Sequence, residues 1–122
     1  MAKILIVEDE RDMREILKGM VESAGHKVIT AADGKQGLDL AIKQKPDLIL
    51  LDIVLPKMSG FEVLEKIKYD PATHETPVII LSNLGQEKEV ARGKALGAVD
   101  YLVKTSVHLT DILDKIGKYL PV

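Results

Sequence analysis

Apolar residues along the chain fall into two alternating patterns. Five short runs are aliphatic-rich: Ile4–Val7, Val28–Ala31, Leu48–Leu51, Val78–Leu81 and Tyr101–Val103. Four are near-continuous rather than alternating, which suits strands buried on both faces, as in a parallel sheet. Val28–Ala31, with Thr30 inside it, is more mixed. Between the runs the spacing turns helical. Met13, Ile16, Leu17, Met20, Val21 and Ala24 make one stripe, and Gly25 follows where a helix ends. Leu38, Ala41 and Ile42 mark a second helix, opened by Asp33 with Gln36 three residues on. Ser59 and Glu62 are a capping-box pair for a third, which carries Phe61, Leu64 and Ile67. A fourth, from about Gln86 to Leu96, has a weak stripe (Val90, Ala91, Ala95) and stops at Gly97. The fifth places Leu109, Ile112, Leu113, Ile116 and Leu120 at helical spacing.

Five βα units with short connections predict an α/β fold with helices on both faces of a parallel sheet. At this length the expected solution is flavodoxin-like and doubly wound, (βα)5, with strand order 2-1-3-4-5. Tyr69–Thr76, around Pro71 and Pro77, reads as a longer loop.

In such sheets ligands bind beyond the carboxyl ends of the strands, where the strand order reverses. The first run is followed there by Glu8 and Asp9, the third by Asp52, the fourth by Ser82 and the fifth by Lys104. Three carboxylates brought together repel by about 4 kcal/mol per pair at ~4 Å and an effective dielectric near 20. They need a cation, a proton, or both. An all-oxygen donor set without His or Cys favours Mg²⁺ over Zn²⁺. A hard cation, an amine and a hydroxyl around one carboxylate are phosphoryl-transfer equipment. Asp52, at the end of the central run, is the expected nucleophile. Glu8 and Asp9 would hold the metal, Lys104 would pair with phosphoryl oxygens, and Ser82 would donate a hydrogen bond to one.

Composition narrows the field. The 122 residues suffice for one domain, and 46% apolar content excludes a disordered chain. Aromatics are only 3%, so the core is aliphatic. A net charge of −2 gives no electrostatic reason to expect direct nucleic-acid binding. With no cysteine there are no disulfides or thiolate metal sites, which fits a cytoplasmic protein. No apolar run approaches the ~18 residues of a membrane span, and no signal peptide is seen at Met1-Ala2-Lys3.

The chain resembles the receiver domains of bacterial two-component response regulators over essentially its whole length, residues 1–122 reading as a single such domain. The resemblance is carried by Ile4–Asp9, by Pro46–Pro56 with Asp52 followed four residues later by Pro56 and eight later by Gly60, by Met58-Ser59-Gly60, by Pro77–Ser82, and by Gly97–Lys104. It implies that Asp52 is the phosphoacceptor and that a histidine kinase or phosphotransfer protein is the donor. It implies Mg²⁺ held by Glu8, Asp9, Asp52 and the backbone carbonyl of Val54. Ser82 and Tyr101 match the family's switch pair: on phosphorylation Ser82 moves toward the phosphoryl group and Tyr101 turns inward. The face built from the fourth helix, fifth strand and fifth helix then changes its affinity for a downstream protein target or output domain. Four positions depart from the pattern. Glu8 stands where Asp is commoner. Val54 and Leu84 are apolar where polar side chains are frequent. Thr105 replaces the proline that usually follows the lysine, so the Lys104–Thr105 bond need not be cis.

Three other functions compete. A small Mg²⁺-dependent phosphatase with an aspartyl-phosphate intermediate needs an acid–base carboxylate two residues past its nucleophile, where this chain has Val54. A flavin or nucleotide module needs a glycine-rich loop after the first strand, where this chain has Glu8-Asp9-Glu10-Arg11. A docking-only receiver would have lost site residues, and here every site position is filled by a competent one.

Overall fold

The computed structural model describes residues 2–121. Its elements are β1 (Lys3–Val7), α1 (Arg11–Ser23), β2 (Lys27–Ala31), α2 (Gly34–Gln44), β3 (Leu48–Leu51), α3 (Gly60–Tyr69), β4 (Val78–Ser82), α4 (Glu87–Ala95), β5 (Asp100–Val103) and α5 (Leu109–Tyr119). All strand pairs are parallel and the order is β2-β1-β3-β4-β5, as the alternation predicts.

Local chemistry sets the helix bounds. Asp33 caps α2, its Oδ1 accepting from the Gln36 amide at 2.7 Å. Gln36 Oε1 takes the Ala32 amide at 2.9 Å, one residue earlier than a capping box would. Ser59 Oγ accepts from the Glu62 amide at 3.3 Å and opens α3. Among the described residues no bond returns from the Glu62 carboxylate, so the expected capping box there is half made. The weakly striped α4 gains an N-terminal tie that the pattern did not suggest: the Gln86 amide donates to Glu89 Oε1 at 3.1 Å. Gly25 and Gly97, at φ +96° and +110°, end α1 and α4 as their positions predict.

Strand periodicity sorts the core into two layers. Leu5, Val7, Ile49, Leu51, Ile80 and Tyr101 pack with α2, α3 and α4. Ile4, Ile6, Leu48, Leu50, Ile79, Leu81 and Leu102 pack with α1 and α5. Burying each Leu or Ile contributes about 1.5–3 kcal/mol. Both-face burial explains the continuous apolar runs of β1, β3 and β4. The edge strand β2 is only half buried, which accounts for its mixed composition.

The register aligns Val7 with Leu51 and Ser82 with Val103. Strand ends therefore meet along one rim of the sheet. Between β1 and β3 the winding reverses, and a crevice opens there.

Candidate functional site

The residues just past β1 and β3 are fixed by the ladder itself. The Asp52 amide continues it, donating to the Val7 carbonyl at 3.1 Å, and the Glu8 amide donates to the Ala31 carbonyl at 3.0 Å. Glu8, Asp52 and Lys104 share the strand parity of Ile6, Leu50 and Leu102, and their side chains meet. Lys104 Nζ lies 2.5 Å from Glu8 Oε1 and 2.8 Å from Asp52 Oδ2. The other oxygens are also engaged. Glu8 Oε2 accepts from the Glu10 amide at 3.0 Å. Asp52 Oδ1 accepts from the Ile53 and Val54 amides at 2.7 and 3.4 Å. Arg14 donates to the Glu8 and Asp9 carbonyls at 2.9 and 3.3 Å and so holds the acidic turn in place.

Glu8 and Asp52 are 2% and 6% exposed, so their charges interact through protein rather than bulk water. Burial pushes the Glu8 carboxyl above its usual range, and the hydrogen bonds from Lys104 and the Glu10 amide only partly oppose this. For Lys104, burial acts to lower the ammonium, but its bonds to Asp52 and Glu8 outweigh burial and hold it raised. Asp9 is exposed, yet Glu8, Asp9 and Asp52 each offer an oxygen, and the three lie within 4.8 Å of one another. That donor set is oxygen only and suits a hard cation such as Mg²⁺. Together with Glu10, Val54, Ser82, Asn83 and Lys104 these acids line a cavity of about 300 Å³.

The loop after β3 shows why a glycine follows Asp52 at a fixed interval. A Cβ on Gly60 would lie 2.1 Å from the Asp52 carbonyl oxygen and 2.6 Å from Ile53 Cα. Only glycine lets the start of α3 rest on the Asp52 backbone, and the Gly60 amide then donates to the Ile53 carbonyl at 2.8 Å. Pro56 supplies a carbonyl that takes the Met58 and Gly34 amides at 2.8 and 3.2 Å, tying this loop to α2.

Ser82 is fully buried, and its Oγ accepts from the Leu84 amide at 3.3 Å. Tyr101 does not line the cavity. Its ring is buried in the α3–α4 layer, and its hydroxyl donates to the Leu84 carbonyl. The Leu84 backbone thus joins Ser82 to Tyr101. Burial, then the charges of Glu89 and Asp52, push the Tyr101 phenol upward. The Lys104–Thr105 bond is trans, as are all bonds of the described residues, and Lys104 reaches Asp52 nonetheless.

Of the residues read from the sequence, Glu8, Asp9, Asp52, Val54, Ser82 and Lys104 share one cavity, while Tyr101 adjoins it through Leu84. Glu10, Asn83 and Arg14 were not singled out. Asn83 directly follows the last residue of β4 and Glu10 follows the acidic pair after β1, and those positions are the signal that could have found them.

A doubly wound parallel sheet with a lysine-spanned acidic crevice at its switch point defines a class of small α/β modules built around one buried aspartate. The response regulator receiver domain family model matches residues 4–116, and the chain belongs to that family. It is 44% identical over 104 residues to the Escherichia coli transcriptional regulatory protein CpxR, a match covering 85% of this chain but only 43% of CpxR. It is 42% identical over 104 residues to Pseudomonas aeruginosa Protein PilH, covering 85% of this chain and 86% of PilH. Among solved structures, Vibrio cholerae chemotaxis protein CheY4 superposes with a TM-score of 0.90 at 32% identity, over 98% of this chain and 99% of that one.

Proposed function

We propose that the chain is a phosphorylation-dependent switch that takes a phosphoryl group onto Asp52 with the help of Mg²⁺. Lys104 bridging Asp52 to Glu8 inside one acidic cavity is the observation that carries this conclusion. The donor is a histidine kinase or phosphotransfer protein. Asp52 Oδ2 attacks phosphorus in line, the P–N bond to the donor imidazole breaks, and the bonding pair leaves with the imidazole nitrogen. Amides of Ile53 and Val54 hold Oδ1, which aims Oδ2 into the cavity. Lys104 passes from the carboxylate oxygen to the arriving phosphoryl oxygens, and Ser82 offers its hydroxyl to another. Glu8, Asp9, Asp52 and the Val54 carbonyl would hold Mg²⁺, which when bound offsets the negative charge of the acids and of the phosphoryl group.

Once made, the acyl phosphate draws Ser82, and through Leu84 it biases Tyr101 and the α4–β5–α5 face. The phosphate shifts the population toward the state that gives it more contacts. A downstream protein target or an output domain reads that face. Residues 1–122 act as one receiver unit in the cytoplasm, and no helix among the described residues is long and apolar enough to cross a membrane. The chain modifies itself rather than turning over a separate substrate. Val54, two residues past Asp52, offers no acid–base group for a hydrolase.

Acetyl phosphate with and without Mg²⁺, followed by intact mass, tests this. A Mg²⁺-dependent gain of one phosphoryl group that is lost in Asp52→Ala is expected. Steady turnover of free substrate without a retained adduct would favour the phosphatase.

A further inference from the structure

Gly93 lies buried inside α4, where glycine is disfavoured by about 1 kcal/mol relative to alanine. Its φ is helical, and no cap or turn requires it. Space does. A Cβ on Gly93 would sit 2.6 Å from Ile80 Cδ1 and 2.9 and 3.2 Å from Tyr101 Cδ2 and Cε2. Ile80 is fully buried in β4, packed on both sides, and has nowhere to go. Tyr101 belongs to β5, the last strand of the sheet, and its ring rests on the bare α4 backbone with its hydroxyl on the Leu84 carbonyl. The helix cannot easily back away either. Next to Gly93, the Arg92 guanidinium stacks over the Phe61 ring at 4.3 Å from its centroid and ties this turn of α4 to α3.

We propose that Gly93 is the positioning residue for Tyr101. The missing side chain is what lets the ring sit inward, and a β-carbon there drives the ring out onto the α4–β5–α5 face. Of the two groups the new carbon would strike, only the edge-strand tyrosine has an open direction in which to move. The proposal deepens the switch function above, since it concerns the residue through which Asp52 is read out. The steric fit between Gly93 and the ring is read on the unphosphorylated chain, so it can fail separately from the switch function.

NMR on the full chain, with labelled isoleucine methyls and tyrosine rings, reads the contact between the Tyr101 ring and the Ile80 δ-methyl. The wild type shows it. Gly93→Ala loses it, and its Tyr101 ring resonances move toward those of exposed Tyr69. Gly93→Ala/Ile80→Val removes the buried half of the clash, so it carries the test if the single variant does not fold. Valine has no δ-methyl, so in this variant the Tyr101 ring resonances are the readout; they too move toward those of Tyr69, because the carbon at position 93 still meets the ring. A ring that stays inward in both variants overturns the proposal. A second arm measures beryllofluoride binding with Mg²⁺. Gly93→Ala weakens it roughly fivefold, the equivalent of one hydrogen bond, and has no effect when Tyr101→Ala is already present. A displaced ring with unchanged beryllofluoride affinity upholds Gly93's role and instead removes Tyr101 from the Asp52 switch.

Discussion

Lys104 follows β5 and Asp52 follows β3, with β4 between them, yet Nζ of the one meets Oδ2 of the other at 2.8 Å. The long lysine stem crosses the rim of the sheet and continues to Glu8. The ammonium is an internal counter-ion for two acids that burial would otherwise make costly.

Removing that counter-ion should be expensive. Lys104→Ala leaves Glu8 and Asp52 buried side by side, and breaking a buried pair costs about 3–5 kcal/mol. Urea unfolding without divalent ions should show a loss of that order. Mg²⁺ should return more stability to the variant than it adds to the wild type, because the metal then offsets charge that no lysine covers. Equal Mg²⁺ gains in the two proteins would contradict the counter-ion role.

Glu8 makes stability depend on pH. Its folded pKa is raised above the ordinary 4.5. The stability it contributes is therefore complete below about pH 4.5 and is lost as pH rises through the folded value. Glu8→Gln removes that titration. The stability of Glu8→Gln relative to wild type, followed by urea unfolding in metal-free buffer, should increase from about pH 4 to pH 7. A flat or falling difference would count against a strained, buried Glu8.

Asp100 behaves in the opposite way. Burial works against its charge, but the Tyr101 amide, the Tyr119 hydroxyl and Lys115 outweigh burial and hold the carboxyl below 3.8. Those partners lie at 2.8, 3.0 and 3.2 Å. Its contribution is present above about pH 3.8 and is lost as pH falls through the folded pKa. Asp100→Asn should cost about 1–2 kcal/mol near neutrality. The difference from wild type should shrink in acid, as the wild-type carboxyl becomes protonated. A pH-independent difference would mean that the amide loses packing rather than charge.

Val54 is 59% exposed at the mouth of the cavity, and Leu84 packs against the core beside it. Neither can hold a water for attack on an acyl phosphate. The phosphorylated chain should decay slowly, and Val54→Asn should shorten its lifetime roughly fivefold to tenfold, the rate equivalent of one hydrogen bond of about 1 kcal/mol. Phosphate release followed over time compares the two. A wild type that decays as fast as the variant would refute the role of these apolar positions.

Much of this was legible from residue spacing. The runs ending at Val7, Leu51 and Val103 gave strands because burial on both faces demands continuous apolar residues. The acids and lysine after them gave the cavity because parallel strands must end together. Helix starts were partly legible: Asp33 and Ser59 accept the expected amides, while Gln36 and Glu62 do not complete their boxes. The tie from the Gln86 amide to Glu89, the stacking of Arg92 on Phe61 and the fit of Gly93 against Tyr101 were not legible. Each depends on side-chain geometry that periodicity does not report, since periodicity tells only which face a residue occupies: a glutamine at an N-cap position in the first, packing between elements in the other two. The inward seat of Tyr101 belongs here too, because it rests on what a residue in another element lacks.

The most direct test asks which residue carries the phosphoryl group. After acetyl phosphate and Mg²⁺, borohydride converts an aspartyl phosphate to homoserine, and peptide mass spectrometry locates it. Homoserine at position 52 alone, absent when Mg²⁺ is withheld, is the predicted result. Label at Asp9 or Glu8, on a serine or histidine, or independent of Mg²⁺, would contradict the assignment of Asp52 as phosphoacceptor.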